Sequence, residues 1–413
     1  MERSSCFSTP FIWLVRSSLS KMNAARRRFL TYLAASPFAG LAEEFVPTKP
    51  EDAVNVFDLE ASAQKKLPPA HFGYLATGVE GDSTLHANRD AFGRYQLRPR
   101  RMIDVTKVTT DVELFGSRFS SPVLLAPTGS NKAFHEDGEI AVARAASARK
   151  TGQILSTAAT SSIEAVNEAY GAPVWYQLYA TSSWAVTERL VKRAEAAGCK
   201  ILVVTVDVPA GRKTETEVRF KRLDARPCGA CHGSGPIGTA EYFRRKPMFS
   251  GIDMNGISLF APALTWDAVK RLRQLTSMKL VLKGIVTRED AVLCRQQGVD
   301  GIIVSNHGGR AEESGRASLD CLSEVVAGAG PGITVLMDGG IRRGGDVFKA
   351  IALGARAVCI GRPYLWGLGA FGQRGVETAI DLLRTELDLV MKQCGTRTLR
   401  EITRGHVTTE PRA

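Results

Sequence analysis

From about residue 120 onward the chain alternates short, wholly apolar runs with longer stretches whose apolar positions recur at helical spacing. The short runs predict strands at Pro122–Pro127, Gln153–Thr157, Pro173–Tyr179, Ile201–Asp207, Leu280–Gly284, Gly301–Asn306, Thr334–Gly339 and Ala357–Gly361. Their near-continuous hydrophobicity is that of parallel strands covered on both faces. Between them the pattern predicts helices near 137–150, 161–170, 182–198, 287–298 and 342–354, with a last one from Gly375 to Gly395. Ser161-x-x-Glu164 and Thr287-x-x-Asp290 read as helix-start signatures, and residues 55–95 read as helical. Strands alternating with helices over eight units predict an α/β fold, a TIM (β/α)8 barrel with an N-terminal helical extension. An open doubly wound sheet is the second choice.

A barrel places its chemistry at the C-terminal ends of the strands, and polar residues gather there. The runs end, in order, in Thr128-Gly129, Ser156-Thr157, Gln177-Leu-Tyr179, Thr205-Val-Asp207, Lys283-Gly284, Ser305-Asn-His307, Asp338-Gly339-Gly340 and Gly361-Arg362. Packing alone gives no reason for polarity at all eight. The sixth run continues as His307-Gly308-Gly309-Arg310. An imidazole is the usual proton acceptor near neutral pH, and a guanidinium is a fixed fork for a carboxylate. After runs seven and eight, Asp338-Gly-Gly-Ile-Arg342 and Gly361-Arg362 put glycine amides and arginines where barrels bind phosphate.

The net charge of +12 in 413 residues would suggest nucleic acid if it were spread over a face, but it is not. Residues 1–30 hold six Lys/Arg against one acid, and residues 210–246 hold nine against four. Ten of the twelve excess charges therefore lie in a leader and one loop, and no nucleic-acid motif accompanies them. An anionic substrate, a phosphate-bearing cofactor or peripheral contact with an acidic membrane fits better. Arg26-Arg27-Arg28-Phe29-Leu30 followed by an apolar stretch matches a twin-arginine export signal. Residues 1–45 are thus expected to be a leader, and the product periplasmic or membrane-associated, with a cytoplasmic location as the alternative. Residues 46–413 are expected to form the barrel, with a loop insertion at 210–262 after the fourth strand.

Together, Leu282-Lys283-Gly284, Ser305-Asn-His-Gly-Gly-Arg310, Asp338-Gly-Gly-Ile-Arg342 and Ile360-Gly-Arg-Pro363 resemble the FMN-dependent 2-hydroxy-acid oxidases and dehydrogenases. Lys66-Leu-Pro68, Tyr74, Asn88-Arg89, Arg98-Pro-Arg100, Ala126-Pro-Thr128 and Gln177-Leu-Tyr179 extend the resemblance from about Val56 to Ile402. It implies oxidation of an (S)-2-hydroxy acid, lactate-like or larger, to the 2-oxo acid, with His307 as base and Asp207 as its partner. It further implies Arg310 on the substrate carboxylate, Tyr74 and Tyr179 as hydroxyl donors, and Lys283 beside the flavin ring. Thr128, Gly129, Ser156, Gln177, Thr205 and Ser305 would line the ring or ribityl chain. Asp338, Gly339, Gly340, Arg342, Gly361 and Arg362 would hold the phosphate end. Members often form tetramers, so a homo-oligomer is expected.

Three departures stand out. Ala158 occupies the place where glycolate oxidase has a Trp, and Ala311-Glu312-Glu313 replaces the usual Gln-Leu-Asp. The second carboxylate arginine falls in Gly211-Arg212-Lys213-Thr214-Glu215, one residue short of the family spacing, which leaves Arg212 and Lys213 both as candidates.

The insertion contains Cys228-Gly-Ala-Cys231-His232, the attachment spacing of c-type haem, with Met248 or Met254 as a second axial ligand. A local disulfide, or half of the paired zinc motif of J-domain chaperones, uses the same residues. The other six cysteines read as buried thiols. Electrons are expected to pass to a cytochrome or quinone, with oxygen as the alternative acceptor. The rival classes are another FMN barrel, such as an isomerase, and an electron carrier built on a disabled barrel.

Overall fold

The computed structural model describes residues 45–226 and 240–409. Its centre is an eight-stranded parallel sheet of β1 (Val123–Leu125), β2 (Ile154–Ser156), β3 (Trp175–Leu178), β4 (Ile201–Thr205), β5 (Lys279–Ile285), β6 (Gly301–Val304), β7 (Thr334–Asp338) and β8 (Ala357–Ile360). Each strand pairs with its successor, β8 pairs with β1, and a parallel bridge from Leu125 to Gln153 joins β1 to β2. The ring is a TIM barrel, as the alternation of runs predicts, and every strand lies within two residues of its predicted bounds. Nearly every strand residue is buried, because helices cover the outside and side chains fill the inside.

The sequence pattern overlooks two crossover helices. Trp266–Leu275 precedes β5, and Ser318–Ala329 follows β6. The second buries Leu319, Cys321, Leu322, Val325 and Ala329 on one face and exposes Asp320 and Ser323 on the other. One predicted helix start is displaced. Ser162 caps Ile163–Tyr170 by accepting from Ala165 N, while Ser161 Oγ donates to buried Glu139. Thr287 caps Arg288–Gln296 as expected. The final helical stretch, Arg362–Cys394, breaks at Phe371–Gly372, so the predicted Gly375 start falls in its second limb.

The N-terminal extension forms α1 (Val56–Lys66), α2 (Pro69–Ala76) and α3 (Ser83–Arg94). Helix α3 packs over the loops after β6 and β7. A Cβ at Gly309 would stand 2.5 Å from the Leu85 backbone, and one at Gly340 would stand 2.0 Å from Asn88 O. Both glycines are also left-handed, with φ of 78° each, so no other residue fits without moving α3. At the opposite end of the barrel the hairpin of Val112–Leu114 and Ser117–Phe119 sets the Phe115 and Phe119 rings edge-on against Trp175 and plugs the bottom. The open end is therefore the one where the strands finish in polar residues.

Candidate active site

A cavity opens at the C-terminal ends of the strands. Tyr74, Tyr179, Arg212, Lys283, His307 and Arg310 line it, together with Asp338 to Arg342, Ile360 to Arg362 and Ala126 to Gly129.

His307 follows β6 in a turn of three successive left-handed residues, with φ of 58°, 66° and 78° at His307, Gly308 and Gly309. A non-glycine residue there is strained, and Asn306 holds it in place. The Asn306 carbonyl accepts from Gly309 N and Arg310 N, its Oδ1 accepts again from Gly309 N, and its amide is paired both ways with that of Asn88 on α3. The imidazole Nδ1 lies 2.8 Å from Asp207 Oδ1, and Nε2 lies 3.4 Å from the Tyr179 hydroxyl. Burial opposes ionisation of Asp207, but the neighbouring His307 and Lys283 charges outweigh it and keep the carboxyl below its ordinary range. An ionised Asp207 accepts the Nδ1 proton, which leaves the Nε2 lone pair facing the cavity. Burial also brings His307 down to about 4, against the pull of Asp207, so the imidazole is neutral at physiological pH.

Lys283, at the end of β5, is buried between two carboxylates, 3.6 Å from Asp207 Oδ2 and 3.3 Å from Asp338 Oδ2. It donates to Ser305 Oγ at 2.7 Å, and Ser305 donates in turn to Asp338 Oδ1 at 2.6 Å. Burial would discharge this ammonium, but Asp338 and Asp207 hold it charged, above its usual value. Ser156, Gln177 and Thr205, predicted to line the cofactor, are buried at adjacent strand ends and bonded to one another. Ser156 donates to Gln177 Oε1 at 3.0 Å, and Gln177 donates to Thr205 Oγ1 at 2.9 Å. Thr128 is fixed by the Tyr364 hydroxyl, which also donates to Ala126 O.

Four guanidiniums border the cavity, and none of the ion pairs among the described residues includes them. Arg310 donates to Tyr74 O and Thr77 O and lies 4.4 Å from the Tyr74 ring centre. Arg362 donates to Leu75 O, Thr77 O and Gly308 O. Most of these acceptors are carbonyls at the C-terminal end of α2, the negative pole of a helix, which suits it to hold cations without neutralising them. Arg342 stacks on Trp366. Burial brings Arg362 down to about 9 and Arg342 to about 10, and the Arg310 and Arg342 charges add to the effect on Arg362. Buried cations held this way fit a cavity built for anions.

Of the two cations in the shortened loop, Arg212 is the one that faces the cavity. It lines the cavity and donates to Arg310 O at 2.8 Å. Lys213 is exposed and paired with Glu215, while its carbonyl accepts from Glu80 N. Cys228, Cys231 and His232 lie outside the described residues. Met248 and Met254 are buried in the hydrophobic core. Five of the six remaining cysteines are buried free thiols, as expected, and Cys6 lies outside the described residues. Among the described residues no trio of His, Cys, Asp or Glu is placed to hold a metal, and no helix is long and apolar enough to cross a membrane.

The model of the FMN-dependent dehydrogenases matches residues 63–409. The chain belongs to that family. It is 39% identical over 360 residues to a peroxisomal (S)-2-hydroxyacid oxidase of Arabidopsis thaliana, which covers 87% of this chain and 98% of the relative. It is 40% identical over 366 residues to glycolate oxidase 3 of Oryza sativa subsp. indica, covering 86% and 96%. Among solved structures it is similar to mandelate oxidase, at 37% identity and TM-score 0.76 over 87% of this chain and 100% of the other. A chimera of (S)-mandelate dehydrogenase matches at 32% identity and TM-score 0.76, over 86% and 99%. The protein is thus a flavin-dependent oxidoreductase. The cavity fits FMN: Arg342 and Arg362 suit a phosphate among the glycines after β7 and β8, and the ammonium of Lys283 also lines it.

Proposed function

We propose that the protein oxidises an (S)-2-hydroxy acid, lactate-like or larger, to the corresponding 2-oxo acid. The observation that carries this reading is one wall of the cavity that sets a neutral, carboxylate-backed imidazole beside two guanidiniums with no carboxylate of their own. FMN, when bound, accepts the two electrons. Asp338, Gly339, Gly340, Arg342, Gly361 and Arg362 would hold its phosphate end and Lys283 its ring. Arg310 and Arg212 grip the substrate carboxylate, and the Tyr74 and Tyr179 hydroxyls fix the reacting carbon's oxygen. His307 takes the substrate proton at Nε2, and Asp207 stabilises the imidazolium that results. Anaerobic addition of L-lactate or (S)-mandelate should bleach the bound flavin, and a panel of 2-hydroxy acids that leaves it yellow would overturn the reading.

The acceptor we propose is a cytochrome or quinone reached after twin-arginine export, supported by the Arg26-Arg27-Arg28 leader and the Cys-x-x-Cys-His spacing. The relatives named oxidases favour oxygen as a second reading. Comparing oxygen uptake with reduction of a soluble quinone or cytochrome under one substrate separates the two.

Two expectations follow from the geometry. Arg212→Met should raise the half-saturating substrate concentration by about tenfold or more, since a charge-assisted hydrogen bond is worth roughly 1.5–3 kcal/mol. Lys213→Met should change it less than twofold. The pH profile should also depart from that of an ordinary histidine. A base must be unprotonated, so bleaching at subsaturating acid should stay level as pH falls through 6.5 and drop only towards about 4. A half-point near 6.5 would show that burial does not hold His307 neutral.

A further inference from the structure

Helix α3 belongs to the N-terminal extension rather than to the barrel, yet one of its side chains meets the turn that carries the base. Asn88 and Asn306 are both buried and form a closed pair of primary amides. Asn88 Nδ2 donates to Asn306 Oδ1 at 2.8 Å, and Asn306 Nδ2 donates back to Asn88 Oδ1 at 3.0 Å. Each amide spends its remaining capacity on backbone. Asn88 Oδ1 also accepts from Ser318 N at 3.0 Å, Asn306 Oδ1 accepts from Gly309 N at 2.9 Å, and Asn306 Nδ2 donates to Arg316 O at 2.9 Å. The helix is anchored separately at two further points. At its start the Glu313 carboxylate, one of the departures from the family pattern, accepts from Ser83 N at 2.8 Å and Thr84 N at 3.4 Å. Next to Asn88, Arg89 donates to Gly340 O and pairs with Asp346 at 2.7 Å. The Asn88 amide is therefore presented to the turn from a fixed support.

We infer that Asn88 is a positioning residue for proton abstraction, acting through Asn306 on the left-handed turn of His307. The inference rests on the 2-hydroxy-acid reading above. A non-glycine residue at φ 58° persists only where its surroundings over-determine it. Asp207 bonds the ring at Nδ1 and so sets its rotation, whereas the turn sets where the ring is mounted. The amide pair holds the Asn306 side chain on which Gly309 N rests, and thus secures the mounting. Substrate and cofactor are held by other means. The Arg310 guanidinium is fixed by Tyr74 O and Thr77 O, and Gly340 approaches Asn88 at its backbone oxygen, which every replacement keeps. Loss of the pair should accordingly strike the rate of proton removal more than binding.

The test uses the full FMN-loaded chain and anaerobic bleaching rates per bound flavin over a range of L-lactate and (S)-mandelate concentrations. Asn88→Leu replaces the amide by an apolar group of similar size. It should lower the saturating rate by about tenfold to a hundredfold, the scale of an ångström-sized misplacement. The half-saturating concentration should move by less than about threefold. Asn88→Ala should behave alike, and it supplies the same comparison if the leucine variant fails to hold flavin. In the His307→Asn background, which has no base to position, either replacement should cost less than about threefold further, because residues that act as a unit are not additive. Flavin content and melting temperature, measured alongside, show that each variant is folded. A saturating rate within threefold of the parent, or an equal loss with and without His307, overturns this inference alone. A parent flavin that no 2-hydroxy acid bleaches overturns the substrate reading and this inference with it.

Discussion

His307→Asn is expected to keep its flavin and to lose substrate-driven bleaching by about 10²–10⁴-fold, the usual contribution of a positioned general base. Asparagine is the informative replacement because it tolerates left-handed backbone, and His307 sits at φ 58° in a turn fixed by Asn306 and Asn88. The substitution therefore removes the Nε2 lone pair while sparing the turn. FMN binding should survive, because the phosphate-end residues Arg342 and Arg362 follow β7 and β8, on different loops. The measurement is stopped-flow absorbance at the flavin band under nitrogen, with saturating L-lactate and (S)-mandelate. Parent-like bleaching in the variant would refute the base assignment. Loss of flavin instead would mean that the turn itself shapes the cofactor pocket.

Much of this site is legible in the chain because a barrel concentrates its chemistry where each buried run turns polar. His307, Asp207, Lys283 and Arg310 stand at or just past the ends of apolar runs, and the fold brings those ends to one rim. What the sequence conceals are side-chain choices made by contacts between distant segments. Arg212 and Lys213 are adjacent cations, and only the Glu80 N to Lys213 O bond and the approach of Arg212 to Arg310 O decide which faces inward. The resemblance marks Asn88 but gives it no role; the structure shows it bracing the His307 turn and packing against Gly340.

The second large effect is expected at Lys283, where function and stability share one charge. Its ammonium is the cation lying between Asp207 and Asp338, both nearly fully buried. Lys283→Met removes that charge and keeps the stem, leaving two carboxylates without their common partner. Breaking a buried ion pair from one side costs roughly 3–5 kcal/mol, which should appear as a marked fall in the denaturant midpoint at pH 7. The sign with pH is fixed by linkage. The folded-state value of Lys283 is raised above its ordinary 10.5, so its contribution is fully present across the neutral range and fades only at strongly alkaline pH. Without it, burial opposes the ionised Asp207 with one cation fewer to counter it, so the variant's deficit should narrow as pH falls and that carboxyl takes up a proton. The same shift leaves the His307 imidazolium with a weaker anion behind it, so substrate-driven bleaching should slow even where the variant is folded. Lys283→Arg, which keeps the charge in a bulkier head, should recover most of the stability. A Lys283→Met midpoint equal to that of the parent at pH 7 would mean that Asp207 and Asp338 are already neutral in the folded protein, and the anionic partner assigned to His307 would be lost with it.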